Sequence, residues 1–258
     1  MALLNARMAR EPHGNCTVQL TDFGALTFDC YGTLIDWESG IWTALQPLVR
    51  GASAKITRDE ALAAYGRIEP AQEHETPSLV YRDLLALVHA KMAAAWDLKS
   101  TPELDRAFGN SIPQWPAFAD TAEALAYLKQ HYKLVVLSNV DRKSFAGSNP
   151  RLGVTFDAIC TAEDIGSYKP DPRNFDYLLK ECAKLGIAKS GILHTAQSLY
   201  HDHVPAEALG IARCWINRRG DTGSGSGATK PVAKLPSLDF QFPSMAAMAD
   251  AHRKQLAR

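Results

Sequence analysis

Side chains that can do chemistry stand at four points along this 258-residue chain, at or beyond the ends of short apolar runs or in a turn. The four points are Asp29, Ser138 with Asn139, Lys169, and Asp202. Carboxylates act as nucleophiles or bases, and hydroxyl, amide and ammonium groups donate hydrogen bonds to anions. An acid, a hydroxyl, a lysine and a further acid would form one polar site if the fold brought them together.

The apolar runs beside these residues are predicted to be strands of one sheet. Strands are predicted at 25–29, 133–138, 156–160, 191–195, 211–216 and near 238–241. Helices are predicted at 119–130, 172–185 and 203–209 and from about Ser244. This alternation indicates an α/β fold with a parallel sheet covered on both faces. Such sheets bind ligands outside the carboxyl ends of their strands, where the four points would meet.

A long helical stretch separates the first predicted strand from the rest of the sheet. Residues 37–116 are rich in Ala and Leu at helical spacing, for example at 60–65 and 81–88, and are predicted to be helical throughout. Residues 1–20 are predicted to be a tail without the pattern of a signal peptide. The Gly- and Ser-rich residues 219–231 are predicted to be a loop, because too little chain follows them to form another domain.

The composition argues against several classes of partner. The 28 basic and 28 acidic residues give a formal net charge of zero, so neither nucleic acid nor an anionic membrane surface is an expected partner. No apolar run reaches 18 residues, the length expected of a membrane span. The five cysteines are scattered and form no CxxC pair, which favours a reducing, cytoplasmic location over a disulfide framework or a zinc site.

Four short segments together resemble a known family. FDCYGTLID around Asp29, LSN at 137–139, YKPD around Lys169 and the later Asp202 resemble the four motifs of the haloacid dehalogenase superfamily. The resemblance covers about 22–216. It implies a Rossmann-like core formed by 21–36 and 117–258, with a helical cap inserted at 37–116. It also implies that Asp29 is a nucleophile that forms a covalent ester with the substrate.

Two substitutions within these motifs indicate which reaction to expect. Magnesium-dependent phosphatases of the superfamily carry a second acid two residues after the nucleophile, where this chain has Tyr31. They carry another acid five residues before the final Asp, where this chain has Gln197. A phenol is a poor proton donor near neutral pH, but a departing halide needs no proton. Tyr at this position resembles the L-2-haloacid dehalogenase branch, which implies a 2-halocarboxylate substrate, no metal and no cofactor.

The resemblance also assigns roles to individual residues. Asp29, Lys169 and Asp202 are the expected catalytic residues, with Lys169 lowering the pKa of Asp29 and Asp202 positioning the hydrolytic water. The expected substrate-binding residues are Cys30 through its backbone N–H, Tyr31, Ser138, Asn139, Arg67, Gln197 and His201. Arg67 is the preferred cap arginine for receiving the halide, with Arg58 and Arg82 as alternatives.

Departures from the dehalogenase pattern keep other functions open. The residues just ahead of Asp202 differ from those of that branch, and Phe175 stands where a Tyr is usual. His194 is expected in the core and His203 in solvent, because only His194 lies in an apolar run. The alternatives are a magnesium-dependent small-molecule phosphatase and a non-catalytic anion-binding relative. A homodimer is expected only by analogy with the branch.

Overall fold

The α/β architecture is confirmed by a six-stranded parallel sheet. The computed structural model describes residues 18–52, 55–220, 228 and 230–257. The strands are β1 (Ala25–Phe28), β2 (Lys133–Ser138), β3 (Ala158–Thr161), β4 (Ile192–Ala196), β5 (Ala212–Ile216) and β6 (Phe240–Phe242). Their order in the sheet is β3-β2-β1-β4-β5-β6. The chain reverses its winding direction at β1, so the carboxyl ends of β1, β2 and β4 are neighbours.

The central strands are continuous apolar runs because helices cover both faces of the sheet. All four residues of β1 and all five of β4 are buried. In β2 only Lys133, at the start, is exposed. Strands of this composition have no polar face to show to solvent, which is why length and flanking residues, rather than alternation, reveal them in the sequence.

Ten α-helices complete the described part of the chain. Those between β1 and β2 are α1 (Trp37–Val49), α2 (Arg58–Glu75), α3 (Tyr81–Ala95) and α4 (Pro102–Gly109), here called the inserted helices. The others are α5 (Thr121–Leu128), α6 (Arg142–Ser148), α7 (Ala162–Ile165), α8 (Pro172–Lys184), α9 (Val204–Ala208) and α10 (Met245–Leu256). Thr57 and Glu60 form a capping box that fixes the start of α2, so local sequence helps to aim this helix.

The inserted helices share a hydrophobic cluster with the sheet. Leu84 and Val88 of α3 belong to the same buried cluster as Leu26 and Phe28 of β1. Burial of this apolar surface against both layers stabilises the position of the inserted helices relative to the strand ends. None of the described helices is long and apolar enough to cross a membrane.

Several predicted elements differ in detail from the structure. The stretch predicted to be helical throughout 37–116 is interrupted between α1, α2, α3 and α4, and a short 3-10 helix at Ile112–Gln114 lies near its end. The strand predicted at 156–160 lies at Ala158–Thr161. The helix predicted at 203–209 is preceded by a π-helical turn at Leu199–His203, which begins where the Ser198 hydroxyl accepts a hydrogen bond from the backbone N–H of His201. The wider turn brings polar side chains inward, a feature that hydrophobic periodicity cannot reveal. Residues 1–17 of the predicted tail, including Cys16, and 221–227 and 229 of the predicted loop lie outside the described residues.

We predict that Gly40→Ala destabilises the protein through the contact between α1 and Trp115. A Cβ atom at Gly40 would lie 2.2 Å from Cγ of Trp115, which is only 1% exposed and cannot move aside. Overpacking of this kind costs about 1–3 kcal/mol in the free energy of unfolding, measurable by urea denaturation. Gly51→Ala is the control, because its nearest neighbour would be at an ordinary 3.5 Å. Equal midpoints for both variants would contradict the prediction.

Candidate active site

The polar residues predicted at the strand ends surround one cavity of about 60 Å³. The predicted site residues that line it are Asp29, Tyr31, Ser138, Asn139, Lys169, Gln197, His201 and Asp202. β1 delivers Asp29, β2 ends in Ser138, and β4 is followed directly by Gln197. The inserted helices contribute Trp37, Glu69 and Tyr81 to the opposite wall. The topology therefore gathers residues that are far apart in sequence into one small enclosure.

Lys169 forms the centre of the charge arrangement. Its side chain is 2% exposed, and Nζ donates to Asp29 Oδ1 at 2.9 Å and to Asp202 Oδ1 at 2.7 Å. A third bond, of 3.0 Å, goes to the carbonyl oxygen of Leu137. An ammonium group has three protons, so all of its donors are used within the protein. Lys169 therefore orients the two acids and has no donor left for a substrate carboxylate.

Asp29 is held through both of its carboxylate oxygens. Oδ1 accepts from Lys169, and Oδ2 accepts from the Thr33 hydroxyl at 2.7 Å. Burial raises the pKa of Asp29, and Lys169 offsets this only in part because Asp202 shares the same cation. The expectation of a lowered pKa was therefore wrong. The sequence predicted that Lys169 acts on Asp29. The pKa of Asp29 also depends on its burial and on the nearby Asp202, which only the structure shows.

Asp202 is fully buried and has an additional donor. Its Oδ1 accepts from His194 Nε2 at 3.0 Å as well as from Lys169, whereas Oδ2 has no partner among the described residues. Burial acts to raise the pKa of Asp202, but Lys169 and His194 outweigh it and hold that pKa well below its usual range. Asp202 thus lines the cavity as a fixed carboxylate, and its buried Oδ2 has no partner among the described residues.

Ser138 and Asn139 differ in what they can offer a ligand. Ser138 Oγ is buried and has no partner among the described residues. The Asn139 amide is fully engaged, since Nδ2 donates to Glu73 Oε1 at 3.0 Å and to the Lys169 carbonyl at 3.3 Å, and Oδ1 accepts from the Lys169 backbone N–H at 2.7 Å. Ser138 can therefore bind a ligand directly, while Asn139 connects α2 to the loop that carries Lys169.

Comparison with known proteins identifies the family of this chain. The family model described as haloacid dehalogenase-like hydrolase matches residues 23–194, about two thirds of the chain. The chain belongs to this family. It is 27% identical over 205 residues, 76% of its own length and 84% of the relative's, to (S)-2-haloacid dehalogenase 4A of Burkholderia cepacia. It is 26% identical to (S)-2-haloacid dehalogenase of Pseudomonas putida, covering 75% of this chain and 84% of that relative.

Solved structures share the fold of this haloacid dehalogenase-like hydrolase. L-2-haloacid dehalogenase from Xanthobacter autotrophicus, with chloropropionic acid covalently bound, matches with a TM-score of 0.73 at 17% identity over 90% of this chain and 98% of that one. The HAD-hydrolase YfnB from Bacillus subtilis, bound to magnesium, matches with a TM-score of 0.70 at 16% identity over 90% of this chain and 99% of that one. At these identities the likeness establishes the fold alone.

His201 of this hydrolase lines the cavity, whereas His203 is buried away from it. His201 has Nδ1 at 3.2 Å from Ser198 Oγ and Nε2 without a partner within 3.5 Å among the described residues. Burial lowers the pKa of His201 to about 4, so its ring is neutral at neutral pH. The expectation that His203 faces solvent is wrong, because His203 is fully buried with Nε2 at 2.9 Å from the Ala196 carbonyl oxygen.

The inserted helices present acids to the site where an arginine was expected. Glu69 and Glu73 are each 6% exposed, and Glu69 Oε1 accepts from the Tyr81 hydroxyl at 2.9 Å. Burial raises the pKa of Glu69 to about 7. Burial raises the pKa of Glu73 still more clearly, and the neighbouring Glu69 adds to the effect. One wall of the cavity therefore carries a carboxyl group that gains charge as the pH passes neutrality.

None of the three candidate arginines lines the cavity within the described residues. Arg67 is exposed and lines an outer cleft instead, because its helix position points away from Glu69. Arg82 is paired with Asp141, and Arg58 donates to Ser39. Lys230 supplies a cation to the cavity, with Nζ 4.0 Å above the Tyr200 ring. Sequence reasoning missed it because it follows a Gly/Ser-rich stretch far from every motif.

Of the remaining predicted residues, Tyr31 and Gln197 line the cavity and Cys30 does not. The Cys30 side chain is buried in the hydrophobic core and is not among the described residues that line the cavity. The Tyr31 hydroxyl donates to Ser148 Oγ at 2.9 Å, and burial raises the pKa of that phenol further. Gln197 lines the cavity and its backbone N–H donates to Thr33 Oγ1. Across the described ranges, no three His, Cys, Asp or Glu side chains are grouped to hold a metal ion.

We predict that Asp202→Asn lowers the pKa of Asp29. The substitution removes a like charge and leaves Lys169 to pair with Asp29 alone, and both changes favour the ionised form. The pKa can be followed by carbon-13 NMR of Asp-labelled protein, with Asp29→Asn identifying the resonance. In the wild type we expect a value above the usual one for Asp. An unchanged or higher pKa in Asp202→Asn would contradict the shared-cation account.

Proposed function

We propose that this protein is a hydrolytic 2-haloacid dehalogenase that converts short 2-haloacids to 2-hydroxyacids without a metal. The observation that carries the proposal is the buried Asp29, held by Lys169 and Thr33 in a small cavity where Tyr31, not an acid, lies beside it. Such a site can form an ester with carbon but lacks a carboxylic acid at the position that protonates an alcohol leaving group. The names of the curated relatives support the same activity.

In the first step, a carboxylate oxygen of Asp29 attacks C2 of the substrate. A carbon–oxygen bond forms as the carbon–halogen bond breaks, and the halide leaves with the bonding electron pair and with inversion at C2. Ser138 Oγ offers a donor to the substrate carboxylate, since it is buried and has no described protein partner. Lys230 is the cation of the cavity that is not bound to a carboxylate among the described residues, and it would balance the anionic charge.

In the second step, water attacks the carboxyl carbon of the Asp29 ester and releases the 2-hydroxyacid. Asp202 lines the cavity and its Oδ2 has no described partner, so this oxygen would accept a proton from the water. Neutral His201, with Nε2 without a hydrogen-bond partner among the described residues, would help to orient the water. Both groups stand on the π-helical turn that follows β4.

The wider organisation belongs to the same proposal. The inserted helices, within the predicted segment 37–116, would act as a cap, because α1, α2 and α3 supply the wall opposite Asp29. A cytoplasmic location is supported by the four described cysteines, which are buried and form no disulfide. The homodimer stays a prediction. The phosphatase alternative is not favoured, since Tyr31 and Gln197 line the cavity at the two positions where it needs acids.

The direct test is halide release from a panel of 2-chloro- and 2-bromoacids, in EDTA and with added magnesium. We expect equal turnover in both conditions, preference for the (S) enantiomer, and no phosphate release from phosphate esters. Asp29→Asn should abolish turnover without unfolding the protein, because the amide keeps the shape and loses the nucleophile. Phosphate release that depends strictly on magnesium, with no halide release, would refute the proposal.

Oxygen-18 water separates nucleophilic from general-base catalysis. In a single turnover the ester route leaves one solvent oxygen in Asp29, because water attacks the carboxyl carbon of that residue. Mass spectrometry of the peptide that contains Asp29 reads this directly. Label found only in the 2-hydroxyacid would mean that Asp29 activates water and forms no ester.

We predict that Glu69→Gln improves substrate binding at alkaline pH. Glu69 lines the cavity, and its pKa of about 7 makes it an anion at pH 8, where it repels an anionic substrate. Two like charges about 4 Å apart interact by roughly 1–4 kcal/mol between water and a partly buried site. We therefore expect KM for 2-chloropropionate to rise from pH 6 to pH 8 in the wild type and to stay nearly flat in Glu69→Gln.

The control for this prediction lies at the end of the same helix. Glu75 is exposed and paired with Lys91, so Glu75→Gln should leave the pH dependence of KM unchanged. Steady-state kinetics at pH 6, 7 and 8 compare the three proteins. Parallel KM profiles for the wild type and Glu69→Gln would show that the Glu69 charge does not reach the substrate.

A further inference from the structure

A buried histidine stands directly behind Asp202, away from the cavity. His194 is the third residue of β4 and is fully buried. Its Nε2 lies 3.0 Å from Asp202 Oδ1, and its Nδ1 lies 2.8 Å from Thr27 Oγ1 on the neighbouring β1. An ionised carboxylate only accepts hydrogen bonds, so Nε2 carries the proton, and in the neutral ring Nδ1 accepts from the Thr27 hydroxyl. Thr27, His194 and Asp202 thus form a chain of directed hydrogen bonds inside the sheet.

The contacts of His194 decide which oxygen of Asp202 is left over. His194 and Lys169 both donate to Oδ1, so the carboxylate cannot rotate without losing two bonds in a buried environment. Oδ2 is consequently the oxygen without a partner among the described residues. A buried acceptor without a partner is costly unless water or substrate fills the place, and Asp202 lines the cavity where both would enter.

Only one of these two anchors is independent of the state of Asp29. Lys169 bonds to Asp29 and Asp202 together, so its environment changes when Asp29 becomes an uncharged ester. His194 contacts Asp202 and Thr27, and neither contact involves Asp29. During the lifetime of an ester, His194 is therefore the donor that keeps Asp202 in the same orientation as before the reaction.

We propose that His194 is a positioning residue for the second chemical step. It fixes Asp202 so that Oδ2 receives the proton of the water that attacks the Asp29 ester. The water oxygen bonds to the Asp29 carboxyl carbon, the ester bond breaks, and the proton on Oδ2 passes to the departing alkoxide to give the 2-hydroxyacid. Asp29, formed as an acid, then ionises. This inference rests on the ester mechanism proposed above and adds a residue to it.

The test compares the two steps in His194→Leu, which removes the donor. Rapid-quench measurement of halide gives ester formation, and intact-protein mass spectrometry gives the fraction of protein held as ester. We expect a halide burst near one equivalent at close to the wild-type rate, followed by steady-state turnover lowered by roughly 10- to 100-fold, as misplacement of a reacting group by about 1 Å can cause. The ester should accumulate in this variant and not in the wild type.

Two further variants keep the test decisive if His194→Leu folds poorly. His194→Gln retains an amide donor and should recover part of the second step. Thr27→Val removes the hydroxyl that holds Nδ1 while keeping the shape of the side chain, and should give a weaker accumulation of ester. His203→Gln is the matched control, because His203 is as buried as His194 and lies on the same turn as Asp202 but bonds to the Ala196 carbonyl. It should alter stability without ester accumulation.

The outcomes separate this inference from the function on which it rests. If the wild type releases no halide from any 2-haloacid and forms no ester, the proposed function fails. If the wild type turns over through an ester but His194→Leu and Thr27→Val accumulate none, His194 does not position Asp202 and this inference alone is overturned. An equal loss of burst rate and steady-state rate would also overturn it, because His194 would then act on the first step or on the fold.

Discussion

The site depends on one buried ammonium group placed between two buried carboxylates. Lys169 holds Asp29 and Asp202 at 2.9 and 2.7 Å, and all three side chains are removed from bulk water. An arrangement with one cation and two anions is costly to bury, and it persists only where further donors satisfy the carboxylates. Thr33 supplies such a donor to Asp29 and His194 supplies one to Asp202. Adjacent β1 and β4 hold these groups in register, so the sheet serves as the scaffold for the charges.

Much of the fold and the centre of the site could be predicted from the sequence. Buried parallel strands are uninterrupted apolar runs, and each predicted strand has a counterpart in the sheet. Strand ends also identify Asp29 and Ser138, because a polar residue at the end of such a run is expected at the carboxyl ends of the strands, where ligands bind. The inserted helices were recognisable from apolar spacing. These features are local in sequence, which is why a reading of neighbouring residues recovers them.

Features that depend on three-dimensional packing could not be predicted in the same way. The face of α2 that turns toward the cavity carries Glu69 and not Arg67, and periodicity alone could not choose between them. Lys230 lines the cavity although it follows a Gly/Ser-rich sequence that carries no motif. His203 is buried because the π-helical turn shifts its side chain inward. The direction of the pKa shift of Asp29 likewise requires the structure, since it depends on burial and on the sharing of Lys169 with Asp202.

The Asn139 amide joins parts of the molecule that come from distant regions of the chain. It bonds to Glu73 on α2 and to both backbone groups of Lys169. Any displacement of α2 from the sheet strains the bond to Glu73, and the strain is transmitted through one rigid planar group to the backbone of the central lysine. The position of the inserted helices and the ionic contacts of Lys169 are therefore linked through Asn139. A change that displaces α2 would therefore disturb the pairing of Lys169 with Asp29 and Asp202 without altering any of these three residues.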